Sequence, residues 1–181
     1  MANSFFQTIP SAVKKFLLRS IVFFIIWKLI YHLVLYPIRV PDKQLTHITA
    51  VITKEMIQFH YPNDKLNIEE INYPSPKENL LKNNKKIVGI ADGCNGLELY
   101  ILYIGFLACF PSNKKRLFAY AITGIVLIFV LNNIRSYVIT LLNIHNSSFT
   151  DVAHHYFFKI FIYAVMFLLW VKYTKPKLKD E

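Results

Sequence analysis

Residues 117–142 read LFAYAITGIVLIFVLNNIRSYVITLL, and this stretch decides the fold. It contains one charged side chain, Arg135, and three basic residues precede it at 114–116. A helix of about 26 residues is about 39 Å long, which exceeds the thickness of a membrane's hydrocarbon core. The stretch therefore predicts a membrane-spanning helix with a basic anchor at its amino-terminal end.

Three further apolar blocks flank this one, at about residues 16–36, 91–111 and 152–173. Each has about 20 residues, which is enough to cross a membrane as a helix. Of the 181 residues 54% are hydrophobic and 18% are charged, and the apolar residues are concentrated in the four blocks. This pattern excludes an ordinary soluble domain, a disordered tail and a disulfide scaffold. We predict an all-α membrane protein, a single integral-membrane domain over residues 1–181 with about four transmembrane helices.

The basic residues indicate how the four helices are oriented. They form clusters before the first block, between the second and third, and after the fourth: Lys14, Lys15 and Arg19; Lys114, Lys115 and Arg116; Lys172, Lys175, Lys177 and Lys179. With four spans all three clusters fall on one side, which is the cytoplasmic side. We predict a multi-pass protein of the cytoplasmic (inner) membrane with both termini in the cytoplasm. This topology accounts for the net charge of +10, so the expected partner is membrane lipid and no nucleic acid.

The long segment between the first two blocks, residues 37–90, falls on the outer side. Its apolar residues Leu45, Ile48, Ile52, Met56 and Phe59 are spaced three or four apart, which predicts an amphipathic helix. We expect this helix to lie on the membrane surface or to cap the bundle. Residues 61–84 are rich in proline, asparagine and charge, and for them we predict no regular structure.

Three kinds of polar side chain fall at one depth in the predicted bundle. Cys94, Arg135 and the adjacent His154 and His155 each lie 17 to 20 residues from the nearest basic anchor. At about 1.5 Å per helical residue they are about 26 to 30 Å from the cytoplasmic side. The spacing therefore places a thiol, a guanidinium and an imidazole together at the extracytoplasmic face of the membrane.

This set of side chains is suited to attack on a carbonyl group. Cys94 lies in Asp92-Gly93-Cys94-Asn95-Gly96, where the glycines permit a tight turn at the start of the second helix. Free backbone N–H groups at that end favour a thiolate. His154 or His155 is a candidate general base and acid, and Arg135 a candidate donor to an oxyanion.

Neighbouring polar residues are candidates for support. Asp151 lies four residues before His155, so on a helix it can orient that imidazole. Asn132 and Asn133 lie one turn below Arg135 and are candidates to hold its guanidinium. Glu98, four residues after Cys94, opposes a thiolate unless it pairs with a cation.

The same residues also have structural interpretations. Arg135 can extend to the interface from a helix end, and the histidines can form interfacial contacts. Cys109 lies deep in an apolar run and is expected to fill space in the core. The histidines outside this set, His32, His47, His60 and His145, have no metal-ligand spacing with cysteine or acidic residues, so we expect no metal and no cofactor. The alternative function is a non-enzymatic assembly or transporter-subunit module with a structural Arg/His contact.

The motifs at these positions resemble the exosortase/archaeosortase family of membrane cysteine transpeptidases. The resemblance rests on Gly93-Cys94-Asn95-Gly96, on Asn132-Asn133-Ile134-Arg135, and on a histidine at the outer start of the last block. It covers mainly residues 90–173 and looks closest to the short exosortase branch of Bacteroidetes-type bacteria.

The resemblance implies an activity and a substrate class. Family members are thought to act on secreted proteins with a C-terminal signal made of a short motif, an apolar helix and a basic tail. Cleavage at the motif would pass through a thioester on Cys94, and the acyl group would go to an acceptor. Arg135 and His154 or His155 would correspond to the other two family residues. The recognised motif and the acceptor are not implied.

Overall fold

The computed structural model describes residues 11–110 and 112–175, apart from the side chains of Ala12 and His155. Lys177 and Lys179 of the last basic cluster lie outside the described residues. The fold is mostly helical and contains a small sheet. Its elements are, in chain order, α1 (Ser11–Ile30), α2 (Asp42–His60), β1 (Leu66–Ile71), β2 (Lys77–Lys82), β3 (Lys85–Ala91), α3 (Leu97–Cys109), α4 (Lys114–Ile144) and α5 (Phe158–Thr174).

Two helical stretches are long and apolar enough to cross a membrane. One is Val13–Ile38, in which α1 continues through the π-helical turn Tyr31–Leu35 and a short helical turn at Tyr36–Ile38. The other is Lys114–Ile144, which has 31 residues. α3 has 13 residues and α5 has 17, so both are apolar but shorter. The two long helices and the predicted apolar blocks indicate a membrane protein, while the number of spans stays a prediction.

The prediction of an all-α fold is wrong, because residues 66–91 form a three-stranded antiparallel sheet in the order β1-β2-β3. Pro74 and Pro76 do not break the strands, since they lie in the connection between β1 and β2. The loop between β2 and β3 is Asn83-Asn84, with φ of 51° and 63°. Two successive positive φ angles are what a tight hairpin requires, and asparagine tolerates them better than most residues.

The sheet is stabilised by burial against helices. Leu66 and Leu80 are buried with Ile57 of α2, and side chains of α4 pack against this cluster. The apolar residues that form this cluster come from separate segments of the chain. This is why β2, whose sequence is KENLLK, shows no alternating pattern of its own.

A helix is present at Asp42–His60, in the segment for which an amphipathic helix was expected. The face of α2 that packs into the protein is, however, mainly polar, and includes Asp42, Thr46, Thr49 and Thr53. The predicted apolar stripe is at most partly buried, and two of its members, Ile48 and Phe59, are exposed. Asp42 and Thr46 of the polar face have hydrogen-bond partners outside α2, namely Tyr31, Asn95 and Asp92.

The second predicted span, 91–111, begins too early. β3 continues to Ala91, a 3-10 turn covers Asp92–Cys94, and α3 begins only at Leu97. Gly96 has φ of 88°, a left-handed conformation that prevents the helix from extending back through it. Cys94 therefore precedes the helix instead of lying in its first turn.

The apolar core joins α3, α4 and α5. Its buried members are Tyr103, Leu107, Ile128, Ile162, Met166 and Tyr173. The Tyr103 hydroxyl donates to the Tyr120 carbonyl oxygen over 2.9 Å, and a Cβ at Gly124 would overlap the Tyr103 ring. One turn before Tyr120, Arg116 donates to the carbonyl oxygens of Lys172 and Lys175. The start of α4 and the end of α5 consequently lie at the same end of the bundle.

Candidate active site

Cys94 is held in a turn between β3 and α3. Its side chain is partly exposed, and the turn depends on Gly96, where an added Cβ would also lie 3.4 Å from the Asn132 amide. The first backbone N–H of α3, that of Leu97, donates to the Asn95 side-chain oxygen over 2.9 Å. This N–H is therefore satisfied locally, and the helix end is less open to a thiolate than the sequence suggests.

Asn132 fixes the same turn from α4. Its side-chain N–H donates to the Cys94 carbonyl oxygen over 3.2 Å, and the residue is only 2% exposed. The Asn133 amide donates instead to the Phe129 carbonyl oxygen in its own helix. No hydrogen bond joins either asparagine to Arg135 in the described part of the chain, so the expected support of the guanidinium is wrong. Asn132 holds the backbone of the cysteine.

The histidine that reaches the cysteine is His154. Its Nε2 lies 3.9 Å from the Cys94 Sγ. His154 is part of a π-helical turn, Ala153–Phe157, which precedes α5. The side chain of His155 lies outside the described residues, so its orientation by Asp151 stays a prediction. A thiol and an imidazole at this separation are positioned for proton transfer after a small approach.

Arg135 reaches the same place from α4. Its Nε is buried and has no hydrogen-bond acceptor among the described residues. The described residues also include no carboxylate in a salt bridge with it. A buried N–H without an acceptor is costly, so this guanidinium is arranged to receive an oxygen atom from a bound molecule.

Two cavities meet at these three side chains. The smaller, of about 30 Å³, and the larger, of about 180 Å³, are both lined by Cys94, Arg135 and His154. We call this joint space the cysteine cavity. Cys109 does not line it and is buried at the carboxyl end of α3, as its predicted structural role requires. The structure therefore brings together the thiol, the guanidinium and one of the two candidate imidazoles.

Sequence reasoning missed a cluster on the other side of the turn. Asp92 accepts hydrogen bonds from the Thr46 hydroxyl over 2.7 Å and from Arg39 Nε over 3.0 Å. The Asn95 side-chain N–H donates to Asp42 Oδ1 over 2.8 Å. We call these five residues the Asp42 cluster, and they connect both flanks of Cys94 to α2 and to the residues just before it.

The Asp42 cluster is charged and well bonded. Asp42 is 2% exposed and also accepts a hydrogen bond from the Tyr31 hydroxyl over 2.8 Å. The hydrogen bond from Arg39 to Asp92 raises the pKa of Arg39 above its ordinary value. The residues lie about 50 positions apart in the chain. No local pattern marks them, although Asp92 lies only two residues before the candidate nucleophile.

Glu98, which lies four residues after Cys94, pairs with a lysine. Its carboxylate lies 3.6 Å from Lys28 Nζ of α1, and both side chains are largely exposed. This pairing reduces the repulsion between Glu98 and a thiolate at Cys94. Among residues 11–110 and 112–175 no group of three or more His, Cys, Asp or Glu side chains could hold a metal ion. The thiol of Cys94, the imidazole of His154 and the guanidinium of Arg135 are the groups that line both parts of the cavity.

Comparison with known proteins assigns the family. A model of the transmembrane exosortase family matches residues 11–171, which is most of the chain. No curated protein and no solved structure matches. The match does not distinguish branches, so the relation to Bacteroidetes-type exosortases stays a prediction. Since the match extends from α1 into α5 and includes every residue of the cysteine cavity, the chain belongs to the transmembrane exosortase family.

Proposed function

We propose that this exosortase is a membrane cysteine protease or transpeptidase that cleaves C-terminal sorting signals of secreted proteins. The observation that carries the proposal is the 3.9 Å separation of Cys94 Sγ and His154 Nε2 in a cavity that is also lined by Arg135, whose buried Nε has no acceptor among the described residues. A nucleophile, a base and an oxyanion donor from three different elements are the parts that acyl transfer requires.

The reaction has two steps. His154 accepts the thiol proton as Cys94 attacks the peptide carbonyl, and Arg135 donates to the oxyanion that forms. His154 then gives the proton to the leaving amine, so that the C–N bond breaks and a thioester on Cys94 remains. An acceptor nucleophile attacks the thioester, takes the acyl group and returns the thiol. His155 remains a candidate for the proton-transfer role.

We propose that the protein crosses the inner membrane four times and has both termini in the cytoplasm. Support comes from Arg116, which joins the start of α4 to the end of α5 and so brings two predicted cytoplasmic clusters together. The cysteine cavity is at the opposite end of α4 and α5 and would face the extracytoplasmic side. α3, with 13 residues, is short for a span, and the extended turn 92–96 would complete its crossing.

The proposed substrate carries a short motif, an apolar helix and a basic tail at its carboxyl end. With the helix in the membrane and the tail in the cytoplasm, the motif emerges at the level of Cys94. This match of depths is why a peptide bond just outside the membrane is the preferred target.

Replacement of Cys94 by alanine in the native host tests the nucleophile. We expect secreted proteins with such tails to keep them, which C-terminal peptide mapping by mass spectrometry measures. Cys109→Ala is the matched control and should leave processing unchanged. Normal removal of the tails at normal abundance of the Cys94→Ala protein would refute the proposal.

Thiol labelling separates the enzyme from a non-enzymatic assembly or transporter-subunit module. A nucleophilic Cys94 should react with an impermeant alkylating reagent added outside the cell, and Arg135→Ala should slow that reaction. If Cys94 fails to react in folded protein, the module with a structural Arg/His contact is favoured.

A further inference from the structure

The larger part of the cysteine cavity extends down the bundle between α3 and α5. Beyond Cys94 its walls are formed by Glu98 and Leu99 of α3 and by Lys159, Ile162 and Tyr163 of α5. We call this extension the lateral cleft. Glu98, Lys159 and Tyr163 are exposed, whereas Ile162 is buried at its base. The cleft is therefore open on the side where α3 and α5 meet the surroundings.

Depth along the helices places this opening inside the bilayer. Glu98 lies 11 residues before Cys109, where α3 ends, and Lys159 lies 13 before Lys172 of α5. With about 1.5 Å per residue, they are about 16 Å and about 20 Å from these predicted cytoplasmic ends. Tyr163 is about 14 Å from the same side. In the proposed topology the cleft faces the hydrocarbon core from about its midplane outward, and this core is about 30 Å thick in total.

Charged residues surround this opening. Lys28 and Glu98 pair over 3.6 Å at its α1 side. Lys159 is in no salt bridge in the part of the chain that the structure describes, and neither is Arg135. Ionisable groups at bilayer depth are costly and mark pathways for polar substrates. The cleft thus presents the cationic side chains of Lys159 and Arg135 to a polar group that arrives within the membrane.

A second groove on the bundle provides a contrast. It is lined only by apolar or aromatic residues of α2, α3 and α4, namely Leu45, Tyr100, Ile104, Ile125, Val126 and Phe129. Those properties fit acyl chains. The lateral cleft differs because its walls mix apolar and charged side chains and because it ends at the thiol. A polar headgroup would not occupy it, since Lys159 lies about 10 Å below the outer surface of the core.

We propose that a membrane-embedded polypeptide reaches Cys94 sideways through the lateral cleft, between α3 and α5. The inference rests on the proposed function, because it names the route by which the tailed substrate enters that site. The apolar helix of the substrate packs against Leu99 and Tyr163. Lys159 donates to carbonyl oxygens where the substrate chain leaves its helix and becomes extended toward the thiol.

The first experiment asks whether water enters the cleft and needs no substrate. Lys159→Cys and Ile160→Cys are neighbours at nearly one depth, and Ile160 does not line the cleft. Each is made in a Cys94→Ser, Cys109→Ala background and reconstituted in lipid vesicles. We expect an impermeant sulfonated thiol reagent to modify position 159 at least about tenfold faster, because a thiol in lipid stays protonated and dry. Equal rates in folded protein would refute a hydrated cleft.

The second experiment identifies the occupant by photocrosslinking. Tyr163 and Phe161 have nearly the same exposure, 49% and 48%, but only Tyr163 lines the cleft. Each is replaced by p-benzoylphenylalanine in the Cys94→Ala protein, and the probe is the uncleaved precursor that accumulates in those cells. We expect position 163 to crosslink to the precursor several-fold more than position 161.

The outcomes separate the two proposals. Equal crosslinking from both positions, or only lipid adducts at position 163, overturns the lateral route while cleavage at Cys94 stands. If no precursor accumulates in Cys94→Ala cells, the proposed function fails, and the labelling rates at positions 159 and 160 still decide whether the cleft is hydrated.

Discussion

The two sides of the turn at residues 92–96 differ in how their polar atoms are bonded. On one side, Asp92 and Asn95 belong to the Asp42 cluster and have short hydrogen bonds to α2 and its preceding loop. On the other, the Cys94 Sγ faces the cysteine cavity and lies 3.9 Å from His154 Nε2. Asp92 and Asn95 thus fix the turn, whereas Cys94 between them faces open space.

The Cys94 side chain is partly exposed, while hydrogen bonds hold the backbone of its turn in place. Buried polar groups stabilise a structure only when their hydrogen bonds are satisfied, and the Asp42 cluster meets this condition. Arg135 does not, because its buried Nε lacks an acceptor among the described residues. The hydrogen bonds that fix the turn are therefore on the side of the Asp42 cluster. The donor that remains available for a bound molecule, Arg135 Nε, is on the side of the cysteine cavity.

The largest effect should follow from Arg135→Ala. Removing an oxyanion donor typically reduces turnover about 100- to 1,000-fold, and we expect a loss in that range in tail processing. The thermal unfolding temperature should hardly change, because the described structure contains no hydrogen bond that the substitution removes. A large drop in unfolding temperature would show that Arg135 stabilises the fold, as the Asp42 cluster does, and would contradict its assignment as a donor reserved for the substrate.

Asp42→Ala should, in contrast to Arg135→Ala, lower the stability of the fold. It leaves the Tyr31 hydroxyl without its acceptor and removes the shortest hydrogen bond of the Asn95 amide, which keeps the Asp42 carbonyl and the Thr46 hydroxyl at 3.3 Å. We expect a loss of about 2 to 3 kcal/mol in unfolding free energy. Denaturation of the detergent-solubilised protein measures it. Asp42→Asn should restore part of the loss, because an amide oxygen still accepts one hydrogen bond. Unchanged stability in Asp42→Ala would contradict the role of the cluster.

A matched pair on α2 gives a smaller effect. The Thr46 hydroxyl bonds to Asp92, whereas the Thr49 hydroxyl donates to the Leu45 carbonyl within the helix. Both residues are buried, so the loss of a methyl group is alike. We expect Thr46→Ala to cost about 1 to 2 kcal/mol and Thr49→Ala clearly less. The alkylation rate of Cys94 should change only in Thr46→Ala, and equal changes in both variants would speak against a link to the turn.

The smallest effect concerns acid stability next to the cluster. Hydrogen bonding to Lys43, and then to Arg39, holds the pKa of Glu70 below its ordinary value of 4.5. A carboxylate with a lowered folded pKa stabilises above its unfolded pKa, and this contribution is lost as pH falls through the folded value. We expect the Glu70 contribution to be constant from pH 7 to 5 and to decline below about pH 4.5.

Its size should be below about 1 kcal/mol, since the ion pairs are near the surface. Glu70→Gln should remove this part of the pH dependence, as thermal unfolding at several pH values would show. An acid transition that is identical in Glu70→Gln would place the responsible carboxylate elsewhere.

The sequence by itself was sufficient for the properties that depend on composition and local spacing. Hydropathy and basic anchors predicted a membrane protein, and two stretches are long and apolar enough to cross a membrane. The motifs around Cys94 and Arg135 predicted the family that the comparison identified. Counting residues from the anchors predicted one level for Cys94, Arg135 and His154, and these three side chains line one cavity, although Cys94 reaches it from the turn before α3.

Only the tertiary structure decided the sheet, the start of α3 and the Asp42 cluster. Each depends on partners far away in the chain, such as Arg39 with Asp92 or Asn95 with Asp42, which are 53 positions apart. Strand formation at KENLLK required the apolar surfaces of α2 and α4 to be present. Hydrogen bonds and burial between distant segments leave no period in a sequence, whereas the hydropathy of a single helix does.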